Sequence, residues 1–517
     1  MGFSVADYLV ILLYLTGMTT FGLIISGRQR SISDYFLGGH NIPWWAVLFS
    51  IVATETSTLT FISIPAVAYG GSLTFLQITF GYIVGRIVVS FLFLPRYFKG
   101  RMFTAYQFLG IRFGESMRNI ASTTFMITRL LADGVRLFAS AIPIAIILRL
   151  AGMNASDLNI YLISILIIST MTLFYTYMGG IKAVVWMDVI QMSVYIGGAF
   201  LAAGIILKAL PHGLNNALGI AQSAGKLRLF QLGWGMSFKE FIAQPYTFFT
   251  AFIGGGVFAI ASHGTDQLIV QRLLATRNLR ASQKALIASG FVVFLQFALF
   301  LFIGLLLYGL YGGQNPSQLG LTTTDEIFAK FIVEGMPSGF SGLIIAAILA
   351  AAMSTLSSSI NSLASATTMD FYKPYWGKKN SPAKDLRTSR VITFIWGIVL
   401  MGSAFAFAIL QTQSTGERPA VVELALGIAS YTYGGLLGVF LLGIISKKIK
   451  NRDAVIGFFS GLLALLFLVE GPIHNLLPGQ GITIAWPLYT LCGSLIVIIT
   501  GHLSYAVRLV KYGRLNI

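Results

Sequence analysis

Apolar runs of about 20 residues, the length of a membrane-crossing helix, follow one another along nearly the whole of this sequence, joined by short polar links. That succession restricts what the chain can fold into. A bilayer offers no water to its backbone, so each N–H and C=O of a crossing segment must find its partner within the protein. The runs predict helices at 6–26, 44–70, 73–95, 120–150, 158–178, 184–208, 245–270, 286–311, 340–369, 389–412, 420–445, 453–470 and 482–507, about thirteen spans in all. One membrane domain covering 1–517 is the expectation, and composition agrees. Hydrophobic residues make up 56% and charged ones 10%, against about 25% charged in a soluble domain, and the mean hydropathy is +0.79.

The formal charge of +17 does not mark a nucleic-acid surface, because the basic residues form short clusters between apolar runs. These are Arg28 and Arg30; Arg96, Lys99 and Arg101; Arg272, Arg277, Arg280 and Lys284; and the stretches Lys373–Arg390, Lys447–Arg452 and Arg508–Arg514. The positive-inside rule makes them cytoplasmic. An odd number of spans with the N-terminus outside and the C-terminus in the cytoplasm satisfies every cluster. The outer links 151–157, 209–244, 312–339, 413–419 and 471–481 then carry few basic residues. Segments 215–243 and 322–335 are long enough for short helices of their own. The first run lacks a basic leader and a small-residue cleavage site, and reads as a retained helix. A single cysteine, Cys492, excludes disulfides and cysteine-rich metal sites, and five scattered histidines do not group as haem or zinc ligands.

Two spans differ from the others. At mid-membrane, 44–70 carries Ala53-Thr54-Glu55-Thr56-Ser57-Thr58-Leu59-Thr60, and 340–369 carries Ala350-Ala351-Ala352-Met353-Ser354-Thr355-Leu356-Ser357-Ser358-Ser359. Setting the first span aside, these are the first and eighth helices, which a 5+5 inverted repeat makes the first of one half and the third of the other. The halves fall at about 44–208 and about 245–445. Polar or interrupted midplane segments mark ion and solute sites in transporters. Sodium needs several oxygen ligands, and hydroxyls with unwound carbonyls supply them without excess charge. Hydroxyls also help membrane helices pack, but five in six positions after three alanines points to an ion.

Six charges lie within apolar spans: Glu55, Arg86, Arg129, Asp133, Arg136 and Asp188. Each is costly at the bilayer centre, so they are expected to face the interior and to pair. Arg129, Asp133 and Arg136 are spaced for pairing on one helix. If Arg129 takes Asp133, Arg136 is left to face a solute. Arg86 and Glu55 could pair across adjacent spans. Asp188 has no evident basic partner nearby, which makes it a cation ligand or a proton carrier. Asp266-Gln267 with Gln271-Arg272 reads as the inner end of span 245–270, either an interface anchor or a gate.

Several motifs together resemble the sodium/solute symporters, the family of bacterial sodium/galactose and sodium/sialic acid transporters. They are Asp34-Tyr35-Phe36-Leu37-Gly38-Gly39, Met178-Gly179-Gly180-Ile181 with Trp186-Met187-Asp188, Asp266-Gln267 with Val270-Gln271-Arg272, and Ala350 to Asn361. The resemblance covers nearly the whole chain. It implies an all-α membrane protein with the LeuT-type inverted-repeat fold, an extra N-terminal helix and alternating access. It also implies a sodium site built from the carbonyls of Ala53, Thr56 and Ala351 and the hydroxyls of Ser354 and Thr355. A second sodium site is implied at Asp188, Ser354, Ser357 and Ser358, giving one or two coupling ions. The implied solute pocket involves Ser57, Thr60 and Arg136, with Glu55 where the sialic acid transporters carry a hydroxyl. Thr79 stands where they carry a glutamine, with Gln77 two positions away. The expected activity is sodium-coupled symport of a sugar, sialic acid or carboxylate-like solute across a cell inner membrane, with solute, sodium and lipid as partners and a monomer as the unit. Proton coupling through Asp188 or Glu55 is the alternative; the chain shows neither channel pore loops nor an enzyme's nucleophile and base.

Overall fold

The computed structural model describes residues 4–25, 27, 29–150, 153–321, 323–413, 421–469 and 483–511. Of the expected outer links, 151–152, 414–419 and 471–481 lie outside the described residues, as do Arg28 and Arg514. The fold is built from helices: α1 (Val5–Ile25), α2 (Trp44–Glu55), α3 (Thr58–Gly70), α4 (Gln77–Leu92), α5 (Glu115–Leu150), α6 (Asp157–Ala209) and α7 (Phe248–Gly264). There follow α8 (Gln267–Leu274), α9 (Leu279–Leu310), α10 (Phe340–Ala366), α11 (Pro382–Gln413), α12 (Val421–Ile445), α13 (Asn451–Leu468) and α14 (Tyr489–Lys511). Among the described residues 7 helices are long and apolar enough to cross a membrane, or up to 9 if each bent pair is one span. The sequence reading divides the chain more finely. It counts α6 as two spans, and the backbone does turn between them, at Gly180 (φ 58, ψ −155). A Cβ there would lie 2.3 Å from the carbonyl oxygen of Tyr35, so the turn requires glycine.

Two helices are broken in mid-course. The chain bends 62° between α2 and α3 and 60° between α7 and α8. At the first break Thr56 and Ser57 are extended (φ −87, ψ 107 and φ −103, ψ 171), and Thr60 Oγ1 accepts from the Ser57 N–H (3.3 Å). At the second, Asp266 caps α8 by accepting from the Leu268 N–H (2.8 Å). Each break leaves helix-end carbonyls and N–H groups free to meet other partners. The first lies in the hydroxyl-rich run; the second places Asp266–Arg272 at a bend and on the short helix that follows it. Those residues are buried (Asp266 1%, Arg272 0% exposed), because the chain turns at Thr265 and continues into a second short helix.

The hydroxyl-rich α10 runs through the middle and is buried along almost its whole length. Its alanines, serines and glycine allow α1, α5 and α6 to approach closely. From α1, Asp7 Oδ1 accepts from the N–H groups of Gly339 (2.9 Å) and Gly342 (2.7 Å) at the start of α10, a carboxylate on the positive end of the helix dipole. The outer segments expected to hold short helices contain Gly213–Ser223, Phe238–Ala243 and Glu326–Glu334.

Candidate functional site

A cavity of about 800 Å3 opens beside the first break. Its lining includes Glu55, Thr56, Ser57 and Thr60 from that break, Arg129 and Arg136 from α5, and His263 and Asp266 from the second break. Tyr433 of α12 and Gln296 of α9 complete its polar floor. The lining also includes Gly70, Thr324, Asp325 and Trp486.

Two ionic clusters form that floor. In one, Glu55 Oε2 receives Arg86 Nη2 and Oε1 lies 2.6 Å from His263 Nε2; Arg86 is fully buried and Glu55 is 21% exposed. In the other, Arg129 Nη2 donates to Asp266 Oδ2 (2.7 Å) and Arg129 Nη1 lies 3.4 Å from Asp133 Oδ1. The Tyr433 hydroxyl donates to Asp266 Oδ2 (2.5 Å) and Ser359 to Asp133 Oδ2 (2.6 Å). Arg136 has a 3.3 Å contact with the same Asp133, and its side chain is 18% exposed against 2% for Arg129. Arg129 is therefore held by two carboxylates, whereas Arg136 shares one of them and faces the cavity.

Beneath the first break is a void of about 10 Å3, lined by Ala53, Thr56, Ala350, Ala351 and Ser354 together with Gln191, Met192 and Tyr195. Of the five residues expected for the sodium site, four line it. The fifth, Thr355, does not line it and donates its hydroxyl to the Ala351 carbonyl (3.1 Å). Of the second expected sodium site, Ser354 meets Asp188, whereas Ser357 and Ser358 bond back within their own helix. Ser354 Oγ donates to Asp188 Oδ1 (2.6 Å), and Ser357 and Ser358 both donate to the Ser354 carbonyl (3.0 and 2.7 Å).

Asp188, however, is not without a basic partner. Arg272 Nη2 lies 3.4 Å from Asp188 Oδ2 and also donates to Ser358 Oγ, while Arg272 Nε donates to Ser50 Oγ (2.8 Å), which donates to Asp188 Oδ2 (2.5 Å). The sequence hides this pairing because 84 residues separate the two charges. Arg272 reaches Asp188 through the bend at Asp266.

The remaining expected solute residues divide. Glu55, Ser57, Thr60 and Arg136 share the cavity. Gln77 and Thr79 do not line it. Both are fully buried: Gln77 Nε2 donates to the carbonyls of Thr74 and Tyr246, its Oε1 accepts from the Gln231 N–H, and Thr79 donates to the Leu76 carbonyl. Gln77 thus ties the start of α4 to the connections at Gln231 and Tyr246, and Thr79 bonds within its own turn. His263, Asp266, Gln296 and Tyr433 are cavity residues that the sequence reading did not select. Asp266 stood in a visible motif, whereas His263 was one histidine among five with no spacing to distinguish it.

The "Sodium:solute symporter family" model matches residues 35–461. The chain is 30% identical over 513 residues to the sodium/sialic acid symporter SiaT of Proteus mirabilis (strain HI4320), covering 97% of this chain and 95% of that one. It is 29% identical over 504 residues to the sodium/sialic acid symporter NanT of Aliivibrio fischeri (strain ATCC 700601 / ES114), covering 97% and 93%. Among solved structures, a Na+-coupled sialic acid symporter in a substrate-bound, outward-open state superimposes with a TM-score of 0.83 at 29% identity, covering 98% of each chain.

Proposed function

The chain belongs to the sodium:solute symporter family and couples movement of a small organic solute across the membrane to sodium, and we propose that its solute carries a carboxylate received by Arg136. The observation behind this reading is the half-satisfied guanidinium of Arg136, which faces the cavity and shares its carboxylate with Arg129. A planar guanidinium suits a carboxylate bidentately. Glu55 does not favour a cation here, because Arg86 and His263 already occupy its two oxygens. The hydroxyls of Ser57 and Thr60 and the carboxylate edge of Glu55 suit a polyhydroxylated body. Sialic acid, named for the relatives above, combines both features and is the first candidate.

Sodium enters this reading as cargo. One ion is assigned to the carbonyls of Ala53, Thr56 and Ala351 with the hydroxyls of Ser354 and Thr355; a second is assigned to Asp188, Ser354, Ser357 and Ser358, where it competes with Arg272. The membrane domain is read as two inverted repeats, about 44–208 and about 245–445, and the broken helices α2–α3 and α7–α8 each fall at the start of one. The unit is read as a monomer of the inner membrane with its N-terminus outside and its C-terminus in the cytoplasm.

The test is thermal stabilisation of the purified protein by sialic acid, its methyl ester, neutral sugars, monocarboxylates and amino acids, in sodium or potassium. A ligand stabilises the state it binds. Stabilisation by the acid that requires sodium and is lost with the ester supports the reading. Equal stabilisation by acid and ester refutes the role of Arg136, and equal effects in potassium refute the sodium sites.

A further inference from the structure

The link between α6 and α7 carries an apolar segment, residues 229–241, that neither the solute cavity nor the proposed sodium sites use. It reads Leu-Phe-Gln-Leu-Gly-Trp-Gly-Met-Ser-Phe-Lys-Glu-Phe. Gly233 and Gly235 both stand at positive φ (81 and 83), and Trp234 between them is 86% exposed. Phe238, which opens the short helix Phe238–Ala243, is 79% exposed, and Phe230 and Leu232 are exposed as well. A contiguous group of large apolar side chains left outside the core marks a surface that meets something other than water.

Its position says what that is. The Gln231 N–H donates to Gln77 Oε1 (3.2 Å) and the Gln231 carbonyl accepts from the Phe248 N–H (2.6 Å). The segment therefore lies level with the first residues of α4 and α7. Phe230 stacks on Phe80 of α4 (centroids 6.2 Å apart), and Phe241 meets Phe249 of α7 (6.3 Å). Phe80 heads the face of α4 that continues at helical spacing through Val84, Ile87 and Phe91, all three exposed. Phe249 heads the corresponding exposed face of α7 with Ile253. In a chain that spans a membrane, such faces are turned to lipid. Arg96 and Lys99 lie toward the other end of the α4 span, so the segment sits at the opposite surface of the bilayer from that basic pair.

The chemistry of the segment fits that level. Tryptophan and phenylalanine beside a few charges suit the boundary between headgroups and acyl chains. Exposed Lys239 and Arg228 place cations where lipid phosphates lie. A second copy of the chain would cover the aromatic tip but would have no reason to continue the lipid-facing rows of α4 and α7. Beyond Phe241 the chain runs into the cavity wall, where Ala243, Pro245 and Tyr246 are lining residues and the Ile242 carbonyl accepts from the Ala485 N–H (2.7 Å).

We propose that residues 229–241 dock on the phospholipid bilayer, with Trp234 and Phe238 in the boundary between headgroups and acyl chains, beside one rim of the solute cavity. The proposal rests on the membrane-spanning fold and not on the carboxylate-solute reading. The test is fluorescence quenching in proteoliposomes of phosphatidylethanolamine and phosphatidylglycerol. Cys492→Ser removes the native thiol, and Trp234→Cys then takes a nitrobenzoxadiazole label. The expected result is quenching by a nitroxide near the headgroup end of the acyl chains, and less by one near their methyl end. Iodide on both sides of the membrane should lose most of the quenching that it shows on the same label at Gln222→Cys, an exposed position in the polar helix Gly213–Ser223. Iodide quenching equal to that at Gln222→Cys, with none from either nitroxide, overturns the proposal. Shielding from both kinds of quencher also overturns it, because protein would then cover the segment. Stronger quenching from the methyl-end nitroxide overturns the interfacial placement. Phe238→Cys carries the same expectations and stands in if Trp234→Cys does not fold, which a monodisperse profile in detergent checks for each protein.

Discussion

Replacing Asp188 by asparagine should destabilise the protein through Arg272, independently of any ion. Both side chains are fully buried. In the native protein Arg272 donates to Ser50, Ser358 and the Leu268 carbonyl, and Asp188 is the carboxylate facing it. Asparagine preserves the volume and an acceptor oxygen but leaves the guanidinium buried among neutral groups. Breaking a buried ion pair from one side costs about 3–5 kcal/mol. Removing the cation as well should recover part of that cost, because Asp188→Asn with Arg272→Gln leaves only neutral groups that can hydrogen-bond. The two changes should therefore be non-additive by about 1–3 kcal/mol.

The assay is unfolding of the detergent-solubilised protein in potassium, so that sodium binding does not contribute to stability. If the double variant is destabilised by the sum of the single effects, or by more, the two groups are not a coupled pair and the reasoning fails. The same proteins in sodium separate this structural role from ion binding. With two sodium sites the sodium dependence of transport has a Hill slope near two, falling toward one in Asp188→Asn. A slope near one in both proteins refutes the second ion.

Three further outcomes follow from the geometry. Thr355→Ala removes a hydroxyl from the first proposed sodium site, and losing one charge-assisted contact of about 1.5–3 kcal/mol should raise the half-saturating sodium concentration at least tenfold. Solute transport at saturating sodium should survive, and an unchanged sodium dependence would exclude Thr355 as a ligand. Arg136→Ala should weaken binding of a carboxylated solute by about 1.5–3 kcal/mol, with little rescue from Arg136→Lys, as isothermal titration would show; full activity in the lysine variant would rule out a bidentate contact. Asp7→Ala should lower thermal stability by about 1–2 kcal/mol, the cost of a lost helix cap, while leaving sodium half-saturation unchanged in proteoliposomes.

Where the sequence was sufficient, a local cause can be named. The spans, the hydroxyl run and the Arg129–Asp133–Arg136 spacing are legible because each depends on neighbours in the chain. The break at Thr56–Ser57 lies in a visibly polar stretch, and Gly180 marks a turn that only glycine can make. The Arg272–Asp188 pair, the Arg129–Asp266 pair and the His263–Glu55 contact were not legible. They join residues 84, 137 and 208 positions apart, and the bend that brings α8 into the core has no hydroxyl run to announce it. Gln77 shows the opposite case. It is a polar residue close to a family substrate position, yet its amide is consumed by backbone groups, and nothing in one sequence distinguishes an amide facing solute from one that satisfies carbonyls.

The two cavities meet at the first break, and under the proposed assignment of sodium and solute that meeting would couple the two. Thr56 lines both the solute cavity and the small void, and its hydroxyl is tied to Gln296 of α9, whose Nε2 donates to it (2.8 Å). An ion held by the carbonyls of Ala53 and Thr56 would fix the backbone of the break from below. The next residues up the chain, Ser57 and Thr60, would then present their hydroxyls to a solute in the cavity, beside the Glu55 carboxylate. Ordering the break once, by sodium, removes part of the entropic cost of ordering it again for solute, which is positive cooperativity without direct contact between the two ligands. The coupling must then be reciprocal: sodium affinity should rise in the presence of solute by the same factor as solute affinity rises in sodium. Proline in place of Ser57, which stiffens the break without removing Arg136 or the proposed sodium ligands, should reduce that factor toward one if the protein folds. If both affinities change but that factor does not, the sites communicate by a route other than this break.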